Sequence, residues 1–233
     1  MYLELSRPDG DVGRWEKVLK RLTLLNKHYP LRGVNCKHMD FMRDFENNKQ
    51  AKGKLYHLVK HSFMDQGVIF FGGYAASLYS SYMPKKFRKQ AQSIPDFDVL
   101  SIDPENTITV VKERLQDAGF KHIRVIKKPG IGEIVAPHYE LRVGKETVAF
   151  IYEPLACHSY NIINSGRNKI KVATIDTMLS FYLAFLYANR PYYDSNRILC
   201  MSEYLFRVQA KNRLEQRGLL KRFSINCYGE QHT

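Results

Sequence analysis

The chain of 233 residues has room for one large domain or for one and a half small ones. Hydrophobic residues make up 44% and charged residues 25%, which is typical of a folded globular protein and excludes a disordered or collagen-like chain. The 36 Lys and Arg outnumber the 23 Asp and Glu, so the formal charge is +13. That excess favours a polyanionic partner such as a nucleic acid, a nucleotide or an acidic membrane, and it disfavours a small cationic substrate.

Amphipathic spacing predicts a first helix over residues 14–28 and a second, polar helical segment over residues 37–66. An apolar run at residues 67–71 then predicts a buried strand that enters a tight turn at Gly72 and Gly73. The remaining spacing predicts, in chain order, a helix over 74–82, a strand over 96–102, a helix over 104–118, strands over 120–126, 138–143 and 147–152, and helices over 174–189 and 193–216.

The four cysteines are far apart in sequence and form no C-x-x-C pair, which argues against a zinc ribbon and against a disulfide framework. The N-terminus has no apolar stretch after its charges, and the most apolar run, residues 173–188, is interrupted by polar side chains. We therefore expect reduced thiols, a cytoplasmic protein without a secretion signal, and no membrane partner.

The double glycine at residues 72 and 73 stands where a strand gives way to a helix. Glycines let the backbone approach a phosphate closely, and the first turn of a helix offers free N–H groups to an anion. Ser77 adds a hydroxyl to the same segment. Gly72, Gly73 and Ser77 are therefore the predicted nucleotide-binding residues.

Asp96 and Asp98 alternate along the next predicted strand, so both side chains lie on one face with Cβ atoms about 7 Å apart. Two carboxylates at this spacing can converge on a hard cation such as Mg²⁺ or Mn²⁺. Two such ions could bridge a nucleotide and activate a hydroxyl, in which case no Ser, Cys or His nucleophile is needed.

The order of strand, Gly-Gly, helix and Asp-x-Asp resembles the nucleotidyltransferase superfamily of DNA polymerase β type. Within it, four segments resemble the poly(A) polymerases of large cytoplasmic DNA viruses, in particular mimivirus- and megavirus-like ones: FFGGYAASLYS, PDFDVLS, HYELRVGKETVAFIYEP and ATIDTMLSFYLAFLYA. The resemblance implies an α+β nucleotidyltransferase fold, with a small mixed sheet flanked by helices and a helical C-terminal part. The expected parts are an N-terminal helical segment (1–66), a core (67–172) and a C-terminal helical segment (173–233).

The same resemblance implies an enzyme that adds AMP from ATP to RNA 3′ ends by a two-metal mechanism in viral mRNA polyadenylation. Asp96 and Asp98 would hold the divalent ions, Mg²⁺ or Mn²⁺. The expected partners are ATP, an RNA 3′ end, and either a second copy of the chain or a second nucleotidyltransferase-like half. The expected location is the host cytoplasm, the virus factory or the virion.

The third catalytic carboxylate of the superfamily would fall near Ala149, where there is no acid. Glu153 on the same strand is the predicted substitute, and Glu140 on the partner strand is an equal alternative. If neither serves, the chain is a catalytically degenerate nucleotidyltransferase-like module that binds RNA or pairs with a partner. The basic cluster after Pro84 is either a solvated loop or an RNA-backbone contact, made by Lys85, Lys86, Arg88 and Lys89.

Overall fold

A computed structural model describes residues 12–36, 49–82, 96–166, 168–212, 214–222 and 224–230. Within these ranges eight strands form one sheet in the order β3-β4-β5-β2-β1-β7-β6-β8. The strands are β1 (Ile69–Phe71), β2 (Phe97–Leu100), β3 (Ile123–Lys128), β4 (His138–Val143), β5 (Glu146–Tyr152), β6 (His158–Ser165), β7 (Asn168–Ala173) and β8 (Cys227–Tyr228). The sheet is mixed, because β1 runs parallel to β7 and β2 parallel to β5, whereas the other neighbouring pairs are antiparallel.

The described helices cover both faces of this sheet. They are α1 (Val12–His28), α2 (Lys49–Asp65), α3 (Gly72–Leu78), α4 (Pro104–Asp117), α5 (Ile175–Ala188) and α6 (Ser195–Lys211). On one face, Phe63 of α2 packs edge-on against Phe70, with ring centroids 6.1 Å apart. On the other face, Phe71 stacks on Phe181 of α5 at 4.7 Å. We call these the α2 face and the α5 face.

Local sequence explains where helices α4 and α5 begin and end. Asp103 caps α4 by accepting a hydrogen bond from the Asn106 backbone N–H at 3.0 Å, and a glycine with φ +86° follows the helix. Thr174 caps α5, and the helix ends at Asn189 in the left-handed conformation. Since α5 is apolar on most sides, it is buried between the sheet and α6.

The structure confirms the predicted fold class and most of the elements. The hairpin of β6 and β7 was missed, because the buried positions of β6 are occupied by the polar residues His158, Ser159 and Asn161. The C-terminal segment predicted as helical also contains β8, which pairs with β6 at the sheet edge. A two-residue strand leaves no periodic signal in a sequence.

The expectation of unpaired thiols is wrong. The structure joins Cys36 with Cys200 and Cys157 with Cys227 as disulfides, with Cα atoms 5.3 Å apart in each pair. The partners are 164 and 70 residues apart in sequence, so only the fold brings them together. None of the described helices has the length and apolar run needed to cross a membrane.

Candidate functional site

The Gly-Gly turn and the second aspartate of the Asp-x-Asp motif lie in direct contact. The antiparallel register of β1 and β2 pairs Phe71 with Asp98, and α3 begins at the following residue, Gly72. Gly72 has φ +67°, and a Cβ atom placed there would lie 2.6 Å from Cγ and 2.7 Å from Cβ of Asp98. Only glycine therefore lets the turn close over this carboxylate.

Both aspartates of the motif border one cleft. Its volume is about 440 Å³, open mouth included, and it lies between the α5 face of the sheet, helices α5 and α6, and the loop that joins them. The lining is mostly aromatic and apolar, with four charged groups; its residues are Asp96, Asp98, Phe150, Tyr152, Tyr182, Phe185, Tyr192, Tyr193, Asp194, Arg197, Ile198 and Met201. Three carboxylates and one guanidinium give this lining a formal charge of −2, which favours a cation.

The first turn of α6 brings an arginine to the Asp-x-Asp motif. Asp194 caps this helix by accepting a hydrogen bond from the Arg197 backbone N–H at 3.0 Å. The Arg197 side chain then reaches across the cleft, where Nη2 lies 3.3 Å from Oδ1 of Asp96. Because the side chains of Arg197 and Asp96 are only 18% and 3% exposed, this is a buried ion pair.

Three tyrosines of the cleft, Tyr152, Tyr182 and Tyr193, have a raised pKa. Burial raises the pKa of Tyr152 and Tyr182, and the nearby carboxylate of Asp98 raises both further. Burial likewise raises the pKa of Tyr193. These three tyrosines therefore add no negative charge to that of the carboxylates.

The structure does not supply the third carboxylate where the sequence predicted it. Ala149 pairs with Phe97 and shares the α2 face with it, whereas the residue beside Asp98 on β5 is Phe150. Glu153 is exposed, follows the last residue of β5, and does not line the cleft. The prediction that Glu153 completes the site gains no support from this placement, because the strand register differs from the expected one.

The structure places Glu140, the alternative third acid, one strand farther from Asp98 than Phe150 is. It lies on the α5 face beside Phe150, which separates it from Asp98. Its buried carboxylate is shared by Arg142 Nε at 2.6 Å, Lys128 Nζ at 3.1 Å and the Thr147 hydroxyl at 2.6 Å. Burial raises the pKa of Glu140, but these hydrogen bonds lower it more, so the net shift is downward.

The other predicted site residues have the following positions. Gly73 is buried in the first turn of α3, and the Ser77 hydroxyl donates to the Tyr74 carbonyl at 2.6 Å within the same helix. Their part in binding a nucleotide stays a prediction. The basic cluster of Lys85, Lys86, Arg88 and Lys89 lies outside the described residues.

Sequence reasoning missed Arg197, Asp194 and Tyr192. Asp194 carried a usable signal, since Asp followed by Ser at the start of an apolar helical pattern is a typical cap. Arg197 and Tyr192 carried none, because their proximity to the Asp-x-Asp motif depends on how α6 packs.

The donor set fits one divalent ion better than two. Asp96 and Asp98 offer two carboxylates to the cleft, and Mg²⁺ is commonly bound by one or two carboxylates together with substrate phosphates. Among the described residues, no group of three or more His, Cys, Asp or Glu is arranged to hold a metal ion. A cation at Asp96 would also have to displace the guanidinium of Arg197.

The chain has a mixed α/β sheet in which the Gly-Gly turn closes on the Asp-x-Asp strand. Among solved structures, the crystal structure of the Megavirus polyadenylate synthase is similar to this chain, with a TM-score of 0.76 and 15% sequence identity. The match covers 99% of this chain and 49% of that one, so the chain spans about half the length of its neighbour. No family model and no curated protein matches the chain.

Proposed function

We propose that the chain is a nucleotidyltransferase of the poly(A) polymerase kind, which adds AMP from ATP to RNA 3′ ends. The observation that carries the proposal is the contact between Gly72 and Asp98 in a cleft that Asp96 also borders. The structural likeness to a polyadenylate synthase supports the same class of reaction. The charge of +13 suits an RNA substrate.

In this proposal Asp96 and Asp98 hold a divalent ion, Mg²⁺ or Mn²⁺, which when bound supplies positive charge to the triphosphate. Gly72 allows the turn to lie against Asp98 and so fixes the position of that carboxylate. Arg197 neutralises Asp96 in the buried cleft and has to release it before the carboxylate can bind a metal. Aromatic side chains form most of the cleft wall around the two aspartates.

A second candidate is a nucleotidyltransferase-like module without catalysis, which binds RNA or pairs with an active partner. Two observations favour it: Arg197 is ion-paired with Asp96, and Phe150 lies beside Asp98 where a further acid would complete the set. Because the chain covers 49% of its structural neighbour, a second copy or a second nucleotidyltransferase-like half is a proposed partner in both cases.

Primer extension separates the two candidates. Labelled ATP, and each other nucleoside triphosphate in turn, is incubated with a short RNA, the protein and Mg²⁺ or Mn²⁺. The active enzyme is expected to add adenylate, and Asp98→Asn to abolish the tails while RNA binding persists. Asp117→Asn, an exposed acid at the end of α4, is the matched control.

Either of two results would contradict the enzymatic proposal. One is incorporation that Asp98→Asn leaves unchanged, which would remove the site assignment. The other is the absence of incorporation by a protein that binds RNA with a steep salt dependence, which would favour the module without catalysis.

A further inference from the structure

A row of cations lies on the same side of the sheet as the Asp-x-Asp motif. The register places Glu140 beside Phe150, and Phe150 beside Asp98, all on the α5 face. On β3, Arg124 pairs with Arg142 and Lys128 with His138, and these positions alternate in step with Glu140. Arg124, Lys128 and Arg142 therefore share one face, and we call them the basic strip.

The basic strip has an excess of positive charge held in fixed positions. Buried Glu140 is the single acid that ion-pairs with Lys128 and Arg142 among the residues that the structure describes, and Arg124 donates to the Gly144 carbonyl at 3.1 Å. Three cations against one carboxylate leave a formal charge of +2. Arg124 is exposed, and the side chains of Arg142 and Lys128 are 36% and 22% exposed. A polyanion can therefore reach all three.

An aromatic ring connects the basic strip to the cleft. Lys128 Nζ lies 5.0 Å from the ring centroid of Tyr192, and Tyr192 lines the cleft beside Asp98. Tyr192 is half-buried. Two strand spacings, about 10 Å, separate β4 from β2, so the basic strip ends close to the Asp-x-Asp motif.

We propose that single-stranded RNA binds along the basic strip, with its phosphates on Arg124, Arg142 and Lys128 and a base stacked on Tyr192. Cations that follow a backbone, beside an aromatic ring that accepts any base, are the typical features of a single-strand site. The inference deepens the proposed function and rests on it, because this path would lead the RNA 3′ end to Asp98. An acidic protein segment would use the charges but has no need of the ring.

Strand β3 offers a matched control for the charge. Lys127 precedes Lys128 in the same strand, so its side chain lies on the opposite, α2 face, where it pairs with Tyr139 and is exposed. The double variant Arg124→Gln/Lys128→Gln is compared with Lys127→Gln by fluorescence anisotropy of a labelled oligoadenylate across a salt series. If two phosphate contacts are lost, the slope of log affinity against log salt falls by about 1.4, and affinity at 0.1 M salt falls about 25-fold. Lys127→Gln should show the same salt slope as wild type.

The stacking contact is tested with a second pair of variants. Tyr192→Ala should weaken RNA binding about tenfold without changing the salt slope, because stacking involves no phosphate. Tyr187→Ala removes a tyrosine of α5 that is 77% exposed and should bind RNA as wild type does.

Several outcomes would overturn the proposal. It fails if the double variant keeps the wild-type slope, if Lys127→Gln loses as much as the double variant, or if polyglutamate competes for the basic strip while RNA does not bind. Primer extension on the same proteins keeps the two proposals apart. If wild type incorporates AMP and the variants bind RNA as wild type does, only the basic-strip proposal is refuted. If the variants lose RNA binding and wild type incorporates no AMP, only the enzymatic proposal is refuted.

Discussion

Replacing Gly72 with alanine tests the contact on which the site depends. Two effects add in this variant. Alanine at φ +67° is strained, and its Cβ would overlap the side chain of Asp98. Gly144 separates the two effects, because it has φ +64° and a Cβ added there would meet no heavy atom of the described residues within 4 Å. Gly144→Ala therefore reports the backbone strain alone.

The structure sets the expected magnitudes. Left-handed backbone costs alanine about 1 kcal/mol in both variants. At Gly72 the overlap adds about 1–3 kcal/mol, as for other overpacked positions. Rotation of Asp98 about χ1 cannot remove the overlap, because its Cβ itself would lie 2.7 Å from the new atom. We expect Gly72→Ala to unfold about 6 °C below Gly144→Ala, at about 3 °C for each kcal/mol in a chain of this size.

Thermal unfolding of the two variants, measured side by side with wild type, gives the difference directly. Asp98→Gly removes the overlapping side chain, so in that background Gly72→Ala should cost no more than Gly144→Ala does. Equal melting temperatures for the two alanine variants in the wild-type background would refute the contact between the Gly-Gly turn and Asp98.

Three further predictions follow from buried charges. Arg197→Gln should lower the free energy of unfolding by about 3 kcal/mol because it removes the guanidinium that ion-pairs with the buried carboxylate of Asp96, and adding Asp96→Asn should restore part of the loss, as chemical denaturation can show. Asp176→Asn should cost a similar amount, about 3 kcal/mol, because Arg222 donates two hydrogen bonds of 2.8 Å to that buried carboxylate. The pKa of Glu140 is lower in the folded chain than its ordinary 4.5, so the folded state binds fewer protons there. The stability that the ionised carboxylate adds to the fold is therefore complete above pH 4.5 and is lost as the pH falls through the pKa of the folded state. Glu140→Gln should therefore cost stability near neutral pH and progressively less in acid, in urea titrations at several pH values.

The sequence was sufficient for the elements that depend on neighbours along the chain. The Gly-Gly turn, the Asp-x-Asp strand and the bounds of α4 and α5 have local signals, and each was predicted at or within a few residues of its place. Contacts between distant segments have no such signal. Arg197 reaches Asp96 across 101 residues, and the cysteine pairs span 70 and 164.

The position of a third carboxylate likewise depends on contacts between distant segments. An alternating strand fixes which residues share a face but not which neighbour each residue meets, since that depends on register. The observed register pairs Ala149 with Phe97 rather than with Asp98. It also aligns Glu140 with Phe150, so this acid shares the α5 face with Asp98 but lies one strand too far away.

Arg197 decides between the two proposed functions, because a guanidinium and a divalent ion compete for the same carboxylate. If the ion pair is permanent, Asp96 is already neutralised and the cleft has little use for a metal, as expected of the module without catalysis. If substrate binding releases it, Asp96 joins Asp98 as a ligand. With a non-hydrolysable ATP analogue present, removing the guanidinium should therefore act differently in the two cases: Arg197→Gln should create Mn²⁺ binding in the first case and leave wild-type Mn²⁺ binding little changed in the second. Electron paramagnetic resonance of Mn²⁺ with wild type, Arg197→Gln and Arg197→Gln/Asp98→Asn reads this directly, and the double variant shows that any bound ion lies at the Asp-x-Asp motif.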